Sequence, residues 1–217
     1  MPASTQAPAL RAILFDLDQV LVDSRRAWQY ALEEGVASVS GRRVDALPLV
    51  GEYQHRPWPH VLSIVLAVPD ERARCAILCA EIMRRSALKK LLVFDGIGMA
   101  LDALRAARLE IGAVSRETHD VALKQVQSTG LDRFLTVLAA TPEGDAWDAP
   151  ARYGHCLAYL ESAPPSCALV TADAADARSA QAAGFRVFEP RWVTPWTGVG
   201  PAVPMPASLL EILRKRV

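Results

Sequence analysis

Net charge is what this sequence lacks most plainly: 24 Lys and Arg offset 24 Asp and Glu in 217 residues, and no run of like charge breaks the balance. That removes any electrostatic reason to expect nucleic acid or an anionic membrane surface as a partner. Long apolar runs are missing too. The longest, residues 61–68, is interrupted by Ser63 and falls far short of the roughly 20 residues that a membrane-spanning helix needs. Residues 1–8 carry no basic residue and no apolar core, so residues 1–10 read as a disordered tail and the cytoplasm as the expected location. The four cysteines have no CxxC spacing, which points to reduced, buried thiols, and the four histidines are too scattered for a zinc site. Repeats and low-complexity tracts are absent.

What is present is a rhythm. Short apolar runs at 12–15, 110–114, 135–139, 168–171 and 185–188 alternate with segments of helical period at 99–107, 117–129, 153–160 and 176–183. This is the pattern of an α/β fold with a Rossmann-like parallel sheet. Ser115 is placed to cap the 117–129 helix, and Gly130 to end it. Roughly 90 residues separate the first strand from the second, more than one crossover helix requires. Helical segments at 25–39, 60–67 and 70–87, the last with Asp70 as N-cap, fill this gap and predict a small all-α cap inserted after the first strand. The expected division is a discontinuous core of residues 11–22 and 93–217 around a cap of residues 23–92. Five prolines make residues 189–206 a long loop, after which Ser208 and Glu211 have the spacing of a capping box for a closing helix at 209–214.

The first strand ends in Asp16 and Asp18, two acids two residues apart. Ligand crevices in open parallel sheets lie at the carboxyl ends of strands. Two carboxylates crowded there repel, and either a cation such as Mg²⁺ or a raised pKa relieves them. Acids that merely shape the turn after a strand are the plainer alternative.

The run FDLDQVLVDS (residues 15–24) resembles the first motif of the haloacid dehalogenase superfamily, in its phosphatase-like members with a helical cap. Ser115, after the second strand, resembles the second motif; residues 94–97 resemble the return from cap to core; and 176–184 resemble the fourth motif running into a helix. The resemblance covers almost the whole chain from Arg11 onward and implies a Mg²⁺-dependent hydrolase of a small phosphate monoester. In that reading Asp16 is the nucleophile, Asp18 the general acid and base, Ser115 and Arg116 hold phosphoryl oxygens, and Arg56 in the cap meets a distal anionic group. Mg²⁺ is held by Asp16, Asp18 and either Asp173 or Asp176. Because Asp18, the acid that ester hydrolysis needs, is present, dehalogenation is disfavoured.

Four positions depart from the family pattern. Trp147 stands where a Lys is usual, Thr171 and Ala172 stand in place of Gly-Asp, and Gln19 replaces the Gly after the second acid. A phosphate dianion approaching Asp16 needs cations, since a unit charge pair at about 4 Å is worth roughly 4 kcal/mol at an effective dielectric of 20. Losing one preorganised contact commonly lowers a rate by about 10²–10³. Arg116, Arg152 or Lys124 could substitute for the Lys, and Asp173 for the missing metal acid. Without them the chain would be a silent member of the fold that binds a phosphorylated ligand or a protein partner.

Overall fold

The computed structural model describes residues 8–53, 58–141, 149–193 and 198–215. The first apolar run forms β1 (Ala12–Asp16), and its side chains alternate between two cores. Ile13 and Phe15 join one buried cluster, while Ala12 and Leu14 join the other, so the strand is covered on both faces. A strand buried this way reads as a continuous apolar run, which is why it stood out in the sequence.

After β1 come the short β2 (Val22–Asp23) and then the helices α1 (Arg25–Ser40), α2 (Leu47–Tyr53), α3 (Trp58–Val65) and α4 (Pro69–Arg84). A 3-10 turn at Ser86–Lys90 leads to β3 (Leu92–Val93), which pairs antiparallel with β2 at the neck of the helical block. The α1 and α4 helices meet tightly at Gly35, where a Cβ would lie 2.7 Å from the Cys79 Sγ. The remainder is α5 (Ile97–Ala106), β4 (Glu110–Thr118), α6 (His119–Thr129), β5 (Val137–Thr141), α7 (Ala149–Tyr159), β6 (Cys167–Val170), α8 (Ala174–Ala182), β7 (Arg186–Pro190), β8 (Ala202–Val203) and α9 (Leu209–Lys215). The main sheet has the order β5-β4-β1-β6-β7-β8, and all its pairings are parallel. This confirms the α/β, Rossmann-like architecture. All four cysteines are free and buried, and no helix among the described residues is long and apolar enough to cross a membrane.

Several boundaries differ from the sequence reading. Ser115 is not a helix cap: β4 continues past it through an irregularity between Val114 and Thr118, pairs Thr118 with Thr141, and hands the N-cap position to Thr118. Asp70 is likewise not the N-cap of α4, because Pro69 already opens the helix from Val68; a proline fits the first turn, where its missing N–H costs nothing. Helix α2 adds a cap helix beyond the three expected segments, and strand β8 lies within the stretch expected to be a loop. Buried Glu189 organises the segment before β8, its Oε1 accepting the Val199 and Gly200 N–H groups at 2.8 and 3.0 Å. Ser208 donates to the Met205 carbonyl at 2.7 Å from a 3-10 turn, Pro206–Ser208, and so does not form the expected capping box.

Candidate active site

The chain builds its sheet outward from β1 in both directions, so the carboxyl ends of β1, β4 and β6 surround the point where the strand order reverses. Crevices form at such points. Asp16 ends β1 there, paired in register with Val114 of β4. Beyond it the chain curls tightly: the Gln19 N–H donates to the Val22 carbonyl at 2.9 Å, and Gln19 takes a left-handed backbone, φ +68°. The family's usual Gly would adopt that conformation without strain. Trp192 fastens the curl from outside by donating its indole N–H to the Val20 carbonyl at 3.1 Å.

Asp16 is held by a residue that the sequence reading treated only as a departure. The Thr171 hydroxyl, at the end of β6, donates to Asp16 Oδ2. Burial, reinforced by the Asp176 carboxylate, pushes the Asp16 pKa up to about 7, while the Thr171 hydrogen bond and the charges of Arg116 and Arg152 work against that rise. Burial also raises Asp18, with Ser24, Trp28, Ser115 and Arg116 partly offsetting it. Ser115 Oγ lies 3.5 Å from Asp18 Oδ2, the outer limit of a hydrogen bond, and accepts from the Glu117 N–H at 3.1 Å. Buried Glu117, unforeseen in the sequence, is driven well above the ordinary carboxyl range by burial and then by Asp18.

The cations come from β4 and α7. Arg116 Nη2 lies 2.9 Å from Asp173 Oδ2 and 3.1 Å from Asp176 Oδ2. Arg152 Nη2 reaches the same Asp176 oxygen at 3.4 Å, with only 5% of its side chain exposed. Lys124 is exposed on α6 and is not part of this group. Tyr153, next to Arg152, is buried within electrostatic reach of Asp16 and Asp176, and its hydroxyl has no hydrogen-bond partner among the described residues. Arg56 and Trp147 lie outside the described residues.

The structure thus brings Asp16, Asp18, Ser115, Arg116 and Asp176 to one crevice, but not as a metal centre. Asp173 caps α8: its Oδ1 accepts the Ala175 and Asp176 N–H groups at 2.7 and 3.0 Å, and its Oδ2 is on Arg116. Asp176 carries two guanidinium groups, and Ala172 offers no donor where the resemblance wants an acid. Among the described residues no three His, Cys, Asp or Glu side chains are grouped to hold a metal ion. Magnesium wants near-octahedral oxygen ligation at about 2.0–2.1 Å. The described residues do not fit it.

Comparison with known proteins agrees with this architecture. A family model described as haloacid dehalogenase-like hydrolase matches residues 13–189. Pyrophosphatase PpaX of Listeria innocua is 25% identical over 134 residues, covering 59% of this chain and 58% of that protein. Tyrosine-protein kinase PtkA of Mycobacterium tuberculosis is 26% identical over 195 residues, 88% of this chain and 65% of that one. The matched stretch is less than two thirds of either relative's length. A solved haloacid dehalogenase-like hydrolase from Streptococcus pneumoniae superposes with a TM-score of 0.80 at 16% identity, covering 96% of this chain and 99% of that one, and at that identity it speaks for the fold alone. With motif order, sheet topology and a family match over most of its length in agreement, the chain belongs to the haloacid dehalogenase-like hydrolases.

Proposed function

We propose that this protein hydrolyses a small phosphate monoester slowly, through an aspartyl-phosphate on Asp16. The observation that carries the reading is the placement of Asp16 at the end of the central strand, with one oxygen held by Thr171 and with Arg116 and Arg152 facing it. Both named relatives, a pyrophosphatase and a tyrosine-protein kinase, handle phosphoryl groups, which supports this substrate chemistry.

In the first step the free oxygen of ionised Asp16 attacks phosphorus, and the ester P–O bond breaks. Asp18 gives its proton to the departing alkoxide. Water then attacks the phosphorus of the acyl phosphate while Asp18 takes back a proton, and inorganic phosphate leaves with Asp16 restored. Arg116, at the rim of the crevice, and the Ser115 hydroxyl steady the transferring oxygens. Asp16 must be ionised to attack, so activity rises with pH through about 7. No step is assigned to Mg²⁺, because the donors present do not suit it.

A second reading is favoured by Ala172 and by the commitment of Asp173 and Asp176 to arginine: a chain that binds a phosphorylated ligand without turnover. One assay separates the two. Phosphate release from a panel of monoesters is measured for the native chain and for Asp16→Asn, with Mg²⁺ and with chelator. Release above the Asp16→Asn background supports hydrolysis. Equal rates in every condition, with phosphate-ester binding retained by the native chain, support the silent reading.

A further inference from the structure

We propose that Arg116 and Arg152 form a built-in replacement for a divalent cation, occupying the acid cluster so that this protein neither needs nor takes Mg²⁺ there. The inference concerns cation occupancy and holds whether the site turns esters over or only binds them. Three acids converge on the carboxyl ends of β1 and β6, namely Asp16, Asp173 and Asp176, and two guanidinium groups meet them. Arg116 bridges Asp173 and Asp176 at 2.9 and 3.1 Å, and Arg152 closes on Asp176 from α7 at 3.4 Å. A planar guanidinium suits this role because its fixed fork of donors can span two carboxylates and it keeps its charge at every relevant pH.

The rest of the cluster agrees. Asp173 Oδ1 is committed to two backbone N–H groups at the start of α8, so the acid cannot swing to a metal without uncapping that helix. Asp16 Oδ2 accepts from Thr171, a hydroxyl donor that favours this oxygen turned towards β6. Ala172, between Thr171 and Asp173, brings a methyl group and no ligand. To enter, a divalent ion would have to displace Arg116 from two carboxylates at once, leave Arg152 beside it as a repelling charge, and find no acid at position 172. Each substitution alone would weaken a metal site. Together they supply positive charge where an ion would supply it.

The test is a Mn²⁺ titration of the full chain, read by the electron paramagnetic resonance signal of the free hydrated ion and thus independent of turnover. The native protein is expected to leave that signal undiminished. Arg116→Gln with Ala172→Asp, which removes the bridging cation and adds the missing acid, is expected to bind Mn²⁺ roughly tenfold or more tightly than the native chain. Stoichiometric loss of the free signal with native protein, abolished by Asp16→Asn, would overturn the proposal. So would a double variant that keeps native circular dichroism yet binds Mn²⁺ no better. Should the double variant fail to fold, the native titration still decides: an undiminished signal supports internal replacement, and a saturable loss refutes it.

Discussion

Replacing Asp16 with Asn should make the protein more stable, and more so at pH 8 than at pH 5. Asp16 titrates near 3.8 in the unfolded chain and at about 7 in the fold, burial being the main cause and Asp176 the next. A carboxyl raised in this way favours the fold fully below the unfolded value, and that contribution is lost as pH rises through the folded one. At 1.36 kcal/mol per unit, the ionised group costs the fold about 4 kcal/mol above pH 7, of which roughly 2.7 accrues between pH 5 and pH 7. Asp16 keeps some solvent access, and relaxation there reduces the expected difference to about 1–2 kcal/mol. An Asn side chain still offers an oxygen to the Thr171 hydroxyl, so that hydrogen bond can persist. Urea unfolding followed by circular dichroism, at pH 5 and pH 8 in chelator, reads the effect; in thermal melts it corresponds to about 2–8 °C for a chain of this size. A variant whose gain is equal at the two pH values, or whose gain is larger at pH 5, would refute the argument.

Gln19→Gly should stabilise the protein by about 0.5–1 kcal/mol in the same unfolding assay. A left-handed backbone costs a non-glycine residue about 1–2 kcal/mol, and glycine's greater unfolded-state entropy returns only part of this. Glu117→Gln should add stability at pH 8 and little near pH 4, because the folded protein holds a proton on Glu117 that the unfolded chain releases above its ordinary carboxyl pKa; an unchanged stability–pH profile would contradict this. Gly200→Ala should destabilise by about 2 kcal/mol, since the new Cβ would lie 2.5 Å from the Val187 carbonyl oxygen and would push away the segment that Glu189 anchors. Hydrogen exchange of the Val199 and Gly200 amides should quicken in that variant.

How legible each part was depended on how local its signal is. The residues of β1 are buried on both faces and so form an uninterrupted apolar run that points directly at Asp16. Strand β8 contributes two residues at the sheet edge inside a proline-rich stretch, too short for any period to emerge. The polar sequence from Ser115 to Thr118 resembles a loop leading into a helix cap, and only pairing with β5 keeps it extended. The left-handed turn at Gln19 was visible as a departure from glycine, although its strain was not. Least legible was the arginine bridge: Arg116, Arg152 and Asp176 are separated by 24 to 60 residues and meet only because β4, α7 and α8 converge beside β1. Sequence reading named both arginines as able to reach the site; it could not say that they would bind the very acids expected to hold a metal.

The most direct test of the Asp16 chemistry is to capture the covalent intermediate. The native chain is mixed with a reactive phosphate monoester in chelator, quenched in acid within the first turnover, digested, and analysed by mass spectrometry. The account predicts one phosphoryl group on the peptide that contains Asp16, absent from Asp16→Asn. Steady release of phosphate with that peptide unmodified, or the same modification in the variant, would contradict it.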